Sequence, residues 1–522
     1  MKKEAREHFD CSQLQGIELD ENHLSHRVMG NDLMTIYPFE SKRVSRITLA
    51  YFEDINMYDV DYSMADEFKW GKGLGCDFVL KSCYEYIKDR KSRGQDIEPY
   101  CDTPNEPKCA GYENGISGCL LYEHDKQLNE RFQYMDSLFP FTAKQKEKYG
   151  GHMAFDYCPV LLIQPGVNGS SLLCEQKDDL KTDSISNMFM EYRGPNSGCF
   201  NDETQTYVNK SGTYTIKKKS SCHKFQCSKN IGVQVIFNEK AFQCPVGGGP
   251  LHMEQQLGSG NVFIDIQCPK CTSLCKSDSI YSQNIVKRSS NRLNLKITPV
   301  YDRKVETSKV FSKIKRAVEG AVKFWEKALI VEVKKHENVV IQRTCKLGSM
   351  VTSSNENIPH CRRDTCKKSE TCFDMEIPNK YLSACHARKY GETEEVFTEG
   401  EGIAPNEFVL LVSWNYVACG VSVIAWASYC SQDPDTLRPN LGIVNYCLME
   451  DAILGANDKK LEDVTKHEIC HALGFLPNVY NNLPDLSPQY RMPDGKFQYN
   501  FDISSVKFPE GLYPNIIHSK CE

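Results

Sequence analysis

The chain has 522 residues, 40% hydrophobic and 25% charged, a balance ordinary for soluble globular protein with room for several domains and a sizeable core. A net charge of −6 argues against a general nucleic-acid binder, and no run approaches the ~18 apolar residues of a membrane span. Twenty-five cysteines, many at loop-like positions, argue for an oxidising compartment and a disulfide framework, with at least one thiol left over from an odd count.

The opening MKKEAREHFD is charged and lacks the apolar core of a signal peptide, which conflicts with the compartment that the cysteines imply. A processed or truncated product, or a misplaced start, reconciles the two. SRITLAYFEDIN (45–56) reads as a short amphipathic helix and KWGKGLGC (69–76) as a glycine-rich turn. From Cys76 to Cys275 cysteine is dense and the helical period weak. VQVIF (233–237) and VFIDI (262–266) read as strands, so a disulfide-stapled, mostly β and loop domain is expected over 76–275. Within it CPKC (268–271) and Cys275 have local zinc-site spacing, the alternative to disulfides there. Asn168 and Asn209 head glycosylation sequons.

A polar linker is expected at 276–291. Leu293, Leu295 and Ile297 alternate as in one strand, and Ser308 is placed to cap the helix that follows. Ile314, Val318, Ala321, Val322, Trp325 and Leu329 mark that helix by their spacing. A second cysteine cluster (Cys345 to Cys385) precedes two strand candidates, FVLLVSW (408–414) and LGIVNYC (441–447). LEDVTKHEICHALG (461–474) is a helix that Gly474 ends by a left-handed turn.

That last helix carries chemistry. His467 and His471 are one turn apart on one face, so both imidazoles can reach one zinc ion. Glu468 lies about 100° round the helix, better placed to take a proton from water than to ligate. Cys470 within the motif reads as a small buried side chain, with a zinc thiolate as the alternative. A bare HExxH also occurs by chance; here Ile469, Ala472 and Leu473 give the helix an apolar face beside the histidines. A third ligand is missing. The compact motif places it at position 477, which is Pro477; downstream only His518 remains.

HEICHALGF resembles the zinc helix of the leishmanolysin family of surface metallopeptidases. AWASYC (425–430), RPNLGIVNYC (438–447) and the strand and helix at 293–329 resemble the rest of its N-terminal catalytic part. The family's continuation appears at the other end of the chain. AREHFDCSQLQGIELDENHLSHRVMGNDLMT (5–35) resembles the segment with the third His and the Met-turn, although LDENH replaces the usual Gly-Ser-rich approach. DVDYSMADEFKWGKGLGCDFV (59–79) and QCPKCTSLC (267–275) also resemble the family.

The resemblance implies an α+β protein with a metzincin-like zinc-protease domain split between the two chain ends, plus the cysteine-rich domain. The parts are 1–75, with the third His and Met-turn; 76–275; the linker 276–291; and 292–522, with the HExxH helix. It implies one Zn2+ per chain on His467, His471 and His23, with His26 the nearby competitor, Glu468 as general base, and Met34 as the structural Met-turn. Substrates would be polypeptides bound in extended form along FVLLVSW or LGIVNYC. The location would be extracellular or at the cell surface, with possible membrane association. Fifty-one residues follow His471, so joining the ends would set it 74 positions before His23, close to the family's own insertion. A circular permutant, a window across two tandem copies and a faulty gene assembly each explain the swapped order. The competing reading of function is a catalytically inactive adhesion or binding protein of the same family, or, more remotely, a disulfide-rich surface protein with an accidental HExxH.

Overall fold

The computed structural model describes residues 1–133, 146–163, 173–176, 191–275 and 291–479, with the dipeptides 490–491 and 497–498. Short runs within these stretches fall outside the description: 21, 37–38, 40, 105, 211, 229–231, 258–259, 335, 348–349, 354–355, 362–364, 390–391, 417–418, 420–422 and 477–478. All but the last residue of the expected linker, the Asn168 sequon and His518 lie outside the described residues.

The N-terminal segment opens with helix α1 (Lys2–Phe9), which buries Ala5 and Phe9 one turn apart. A short hairpin follows, β1 (Leu19–Asp20) with β2 (His23–Leu24), so LDENH is the stretch that turns the chain. Helix α2 (Arg46–Asp54) lies within the stretch expected to be helical; the Ser45 hydroxyl accepts from the Thr48 amide at its N-cap. Strand β3 (Asp59–Val60) comes next. In the glycine-rich turn Gly71, Gly73 and Gly75 all have positive φ.

The cysteine-rich stretch is less uniformly β than expected. Helix α3 (Cys83–Ser92) begins at a capping box in which Ser82 and Glu85 satisfy each other's amides; Ser-x-x-Glu was the signal for it. Beyond lies a six-stranded antiparallel sheet: β4 (Ser197–Asn209), β5 (Gly212–Ser228), β6 (Gly232–Phe237), β7 (Lys240–Gln243), β8 (Gly249–Leu257) and β9 (Gly260–Cys268), in the order β7-β6-β5-β4-β9-β8. It has its own small core, including Phe200, Val235, Met253 and Ile264. VQVIF and VFIDI fall in β6 and β9 as expected.

In the C-terminal half the expected 293–297 strand is two strands. β10 (Arg292–Asn294) and β11 (Lys296–Tyr301) join different sheets, and Leu293 is exposed. Helix α4 (Phe311–Ala328) buries Ile314, Val318, Ala321, Val322 and Trp325, as the spacing demanded. Ser308 does not cap it: its hydroxyl donates to the Val305 carbonyl of the preceding turn, and Val310 holds the N-cap position. Strand β12 (Leu329–Glu332) follows directly and pairs with β10 on one side and N-terminal β3 on the other. Strands β13 (Glu407–Trp414), β14 (Ala425–Gln432) and β15 (Pro439–Tyr446) form a sheet ordered β11-β13-β15-β14, parallel except for β14. β13 is buried up to its half-buried last residue, Trp414, because both faces are covered: Phe408, Leu410 and Val412 join the main core, Val409 and Leu411 a second cluster behind the sheet. Helix α5 (Asp458–Ala472) packs against α4, β14 and β15.

One apolar core draws on both ends of the chain, from Ala5 to Leu173 and from Leu295 to Val479. Trp325 of α4 sits at its centre, edge-on to Phe52 of α2 at 5.3 Å and donating its indole N–H to the Lys466 carbonyl of α5 at 3.0 Å. Among the described residues eleven disulfides are formed. Seven lie within 11–275 and four within 345–447, so among the described residues none crosses between the two halves. Cys268 pairs with Cys244 and Cys275 with Cys227, which excludes the zinc alternative at CPKC. Cys271 and Cys470 are free thiols. Trp325→Ala should cost about 3–5 kcal/mol of stability, read as a lower denaturation midpoint in urea with intact disulfides.

Candidate metal centre

Helix α5 starts at Asn457, whose side-chain oxygen accepts from the Lys459 and Lys460 amides at 2.8 and 3.3 Å. It ends where Gly474 takes φ +122°, a conformation L side chains rarely adopt. Two of its C-terminal carbonyls, Leu473 and Gly474, accept from the hydroxyls of Tyr58 (3.0 Å) and Tyr51 (2.7 Å) in the N-terminal segment. The helix that carries the HExxH motif is thus capped by the far end of the chain.

His23, His467 and His471 converge. Their Nε2 atoms stand 3.2 Å (23 to 467), 3.2 Å (23 to 471) and 3.1 Å (467 to 471) apart. His467 Nδ1 donates to the Leu33 carbonyl at 2.7 Å and His471 Nδ1 to the Phe475 carbonyl at 2.8 Å. A carbonyl only accepts, so both rings carry their proton on Nδ1 and present a lone pair at Nε2. The His467–His471 contact therefore has no proton to share, an arrangement that a cation between the rings relieves. Nitrogens about 2.0–2.1 Å from a tetrahedral zinc stand about 3.3–3.4 Å apart, close to the triangle observed. The donor set fits the ion. Burial holds all three imidazoles below the usual histidine range, His471 at about 4, and neighbouring histidines lower His23 and His467 further, which keeps them neutral.

The N-terminal segment holds its share of the site with buried polar groups. Arg27 pairs with Glu18 at 2.7 Å, and the Ser25 amide donates to the Glu18 carbonyl, beside the hairpin that presents His23. Met34 is fully buried, and its carbonyl accepts from the Leu24 amide, next to His23, at 2.8 Å. Asp32 takes the Met34 amide (2.8 Å) and the Thr48 hydroxyl (2.7 Å). Lys42 donates to the Thr35 carbonyl at 2.6 Å and to the Thr35 hydroxyl at 2.7 Å; burial pulls its ammonium down to about 7. Glu468 is buried, and burial pushes its carboxyl up to about 8.

His26 stands outside the triangle, with its ring edge-on to Phe155 at 5.4 Å. Cys470 is buried in the main core and is not among the converging donors. Sequence reasoning missed the roles of Tyr51, Tyr58, Lys42 and the Leu33 carbonyl. A backbone carbonyl leaves no trace in a sequence, and a tyrosine 423 positions from its partner has no local signal. Cys361, Cys366 and Cys385 also converge, but each is in a disulfide and offers no thiolate.

A family model described as leishmanolysin matches residues 1–282 and 363–498. The chain belongs to the leishmanolysin family. It is 30% identical to the leishmanolysin-like peptidase of Drosophila pseudoobscura pseudoobscura over 299 residues, covering 52% of this chain and 43% of that protein. It is 28% identical to the leishmanolysin-like peptidase of Caenorhabditis elegans over 301 residues (53% and 45%), and 28% identical to the ciliated left-right organizer metallopeptidase of Xenopus laevis over 255 residues (43% and 35%). The leishmanolysin-family chain described here thus spans less than half the length of these curated relatives.

Lowered histidine values have a consequence for pH. Below the ordinary value of 6.5 the unfolded chain binds protons that the folded, metal-free histidines refuse, so stability rises with pH and is present in full above that value. Metal-stripped protein should lose about 1.4 kcal/mol per pH unit for each histidine that stays neutral when folded as the pH falls from 6.5 to 4, offset in part by the raised carboxyl of Glu468, read from urea denaturation at a series of pH values.

Proposed function

We propose that this chain is a zinc metalloendopeptidase whose active site is assembled from both of its ends. The observation that carries the reading is the triangle of Nε2 atoms from His23, His467 and His471. These three residues would hold one Zn2+ per chain. Bound there, zinc would supply Lewis-acid polarisation of the scissile carbonyl and would lower the pKa of a water to about 7. Glu468 is the general base: it takes the proton from the attacking water and hands it to the leaving amine. A carboxyl lifted to about 8 by burial can both accept and release a proton near neutrality. Met34 floors the site without ligating, and its backbone bond to Leu24 fixes the His23 hairpin.

The catalytic unit, on this reading, comprises 1–75 together with the C-terminal half from 292, with 76–275 as the cysteine-rich companion. One shared apolar core and the β3–β12 pairing support that grouping over a window across two tandem copies. The inactive binding-module reading rests on the split motif, and the converged histidines support the peptidase reading over it. Eleven disulfides suit an extracellular setting. Among the described residues no helix is long and apolar enough to cross a membrane.

Polypeptide substrates would bind extended along a strand edge, but not along FVLLVSW or LGIVNYC. Both are interior strands, β13 and β15, with a partner on each side. Among the described residues the edge strand beside α5 is β14, AWASYCSQ.

Glu468→Ala should lower kcat for an unstructured polypeptide by about 10²–10⁴-fold while one zinc per chain is retained by elemental analysis. Well-folded wild-type protein that holds no zinc when supplied with it would reject the peptidase reading. His23→Ala should lose the metal itself, with far-UV circular dichroism unchanged.

A further inference from the structure

Thr371–Cys372 and Met375–Glu376 form a hairpin in which Cys372 faces Met375, so Phe373 and Asp374 are its two-residue loop. Phe373 has φ +55°, at a position that such loops give to glycine or asparagine. A bulky aromatic residue is strained there, and with 46% of its surface exposed it recovers little by burial. Its ring meets Trp426 of β14 edge-on, centroids 4.8 Å apart. One tie holds the loop to that strand and a second to the chain that leaves β13. Cys372 is bonded to Cys430, the residue at the register shift between Tyr429 and Ser431 in β14, and Asn415 Nδ2 donates to Asp374 Oδ2 at 2.7 Å. Strain in an exposed aromatic loop, bolted to the edge strand of the sheet, is a pattern that functional sites maintain.

We propose that Phe373, with Trp426, is a specificity-determining residue that selects substrates with an apolar side chain at one alternating position; this rests on the peptidase reading above. The argument is one of faces. Ala427 and Tyr429 of β14 pack toward the main core and α5, whereas Trp426 belongs to the cluster on the opposite face. In an extended peptide paired to β14, the residue opposite Trp426 shares its face and meets the Phe373 ring. Its immediate neighbours point to the histidine side and do not.

The test compares wild type and Phe373→Gly on a positional-scanning library of unstructured peptides, with zinc content and thermal midpoint measured for both. Wild type should prefer leucine or phenylalanine over serine by about tenfold at one position. The variant should lose most of that preference there, keep its zinc, and show an equal or higher thermal midpoint because glycine relieves the strained φ. Unchanged selectivity overturns the proposal, and so does lost selectivity with a lowered midpoint, which would make Phe373 a structural prop. If wild type cleaves nothing, the peptidase reading fails on its own. Binding of the same peptides to Glu468→Ala protein, by fluorescence anisotropy, then decides Phe373 by the same tenfold criterion.

Discussion

Everything at the candidate centre depends on non-covalent docking of the N-terminal segment onto α4 and α5. His23 is 444 positions from His467, and among the described residues no disulfide joins the segment to the C-terminal half. Apolar burial supplies the docking energy: Phe9, Leu33, Met34, Phe52 and Trp70 are all within a few per cent of complete burial in a core shared with Trp325, Ile469 and Phe475. Direction comes from a few polar bonds laid across that core. Tyr51 and Tyr58 cap α5, the Leu33 carbonyl orients His467, and β3 extends β12. These bonds satisfy buried polar groups across the interface, so an incorrectly docked segment would lose core area and those bonds together.

The same docking explains why so many charged groups are buried on the N-terminal side. Glu18 with Arg27, and Asp32 with Lys42 nearby, lie behind the His23 hairpin and the Met34 turn. Such groups contribute little net stability, but their hydrogen bonds have direction. A turn that must deliver a backbone carbonyl to His467 needs that definition more than it needs further apolar area. The cost is visible in Asp32, whose carboxyl burial pushes above the usual range, and in Lys42, pulled down to about 7.

What could be read from the sequence followed from period and spacing. The amphipathic face of α4, the buried strands β13 and β15, and the His467–His471 pair each rest on a local repeat, and each is present. His23 could not be reached that way. No local pattern marks it, and only the family resemblance around NDLMT distinguished it from His26, which in the fold turns to Phe155. The failures have local causes too. Leu293, Leu295 and Ile297 alternate correctly, but a sequence does not say that the chain changes sheets at Leu295. Ser308 is a good capping residue that found a nearer acceptor at Val305. An interior strand and an edge strand can look alike in composition, so FVLLVSW drew attention for its apolarity when apolarity on both faces is the mark of a strand that has no free edge.

Disulfides and core divide the work of holding this molecule. The seven bridges of 11–275 and the four of 345–447 restrict each half's unfolded chain, yet neither set restrains how the halves meet. That leaves the interface as the part of the fold whose stability can respond to a ligand. A cation held by His23 on one side and His467 and His471 on the other would bind only the docked state, and it would add RT ln(1 + [L]/Kd) to docking. In such an arrangement the metal is both the chemistry of the site and the last bond between the two ends. The two lone pairs of His467 and His471, facing each other beside His23, are then a modest electrostatic cost in the metal-free protein, carried by the surrounding core and relieved when the ion arrives.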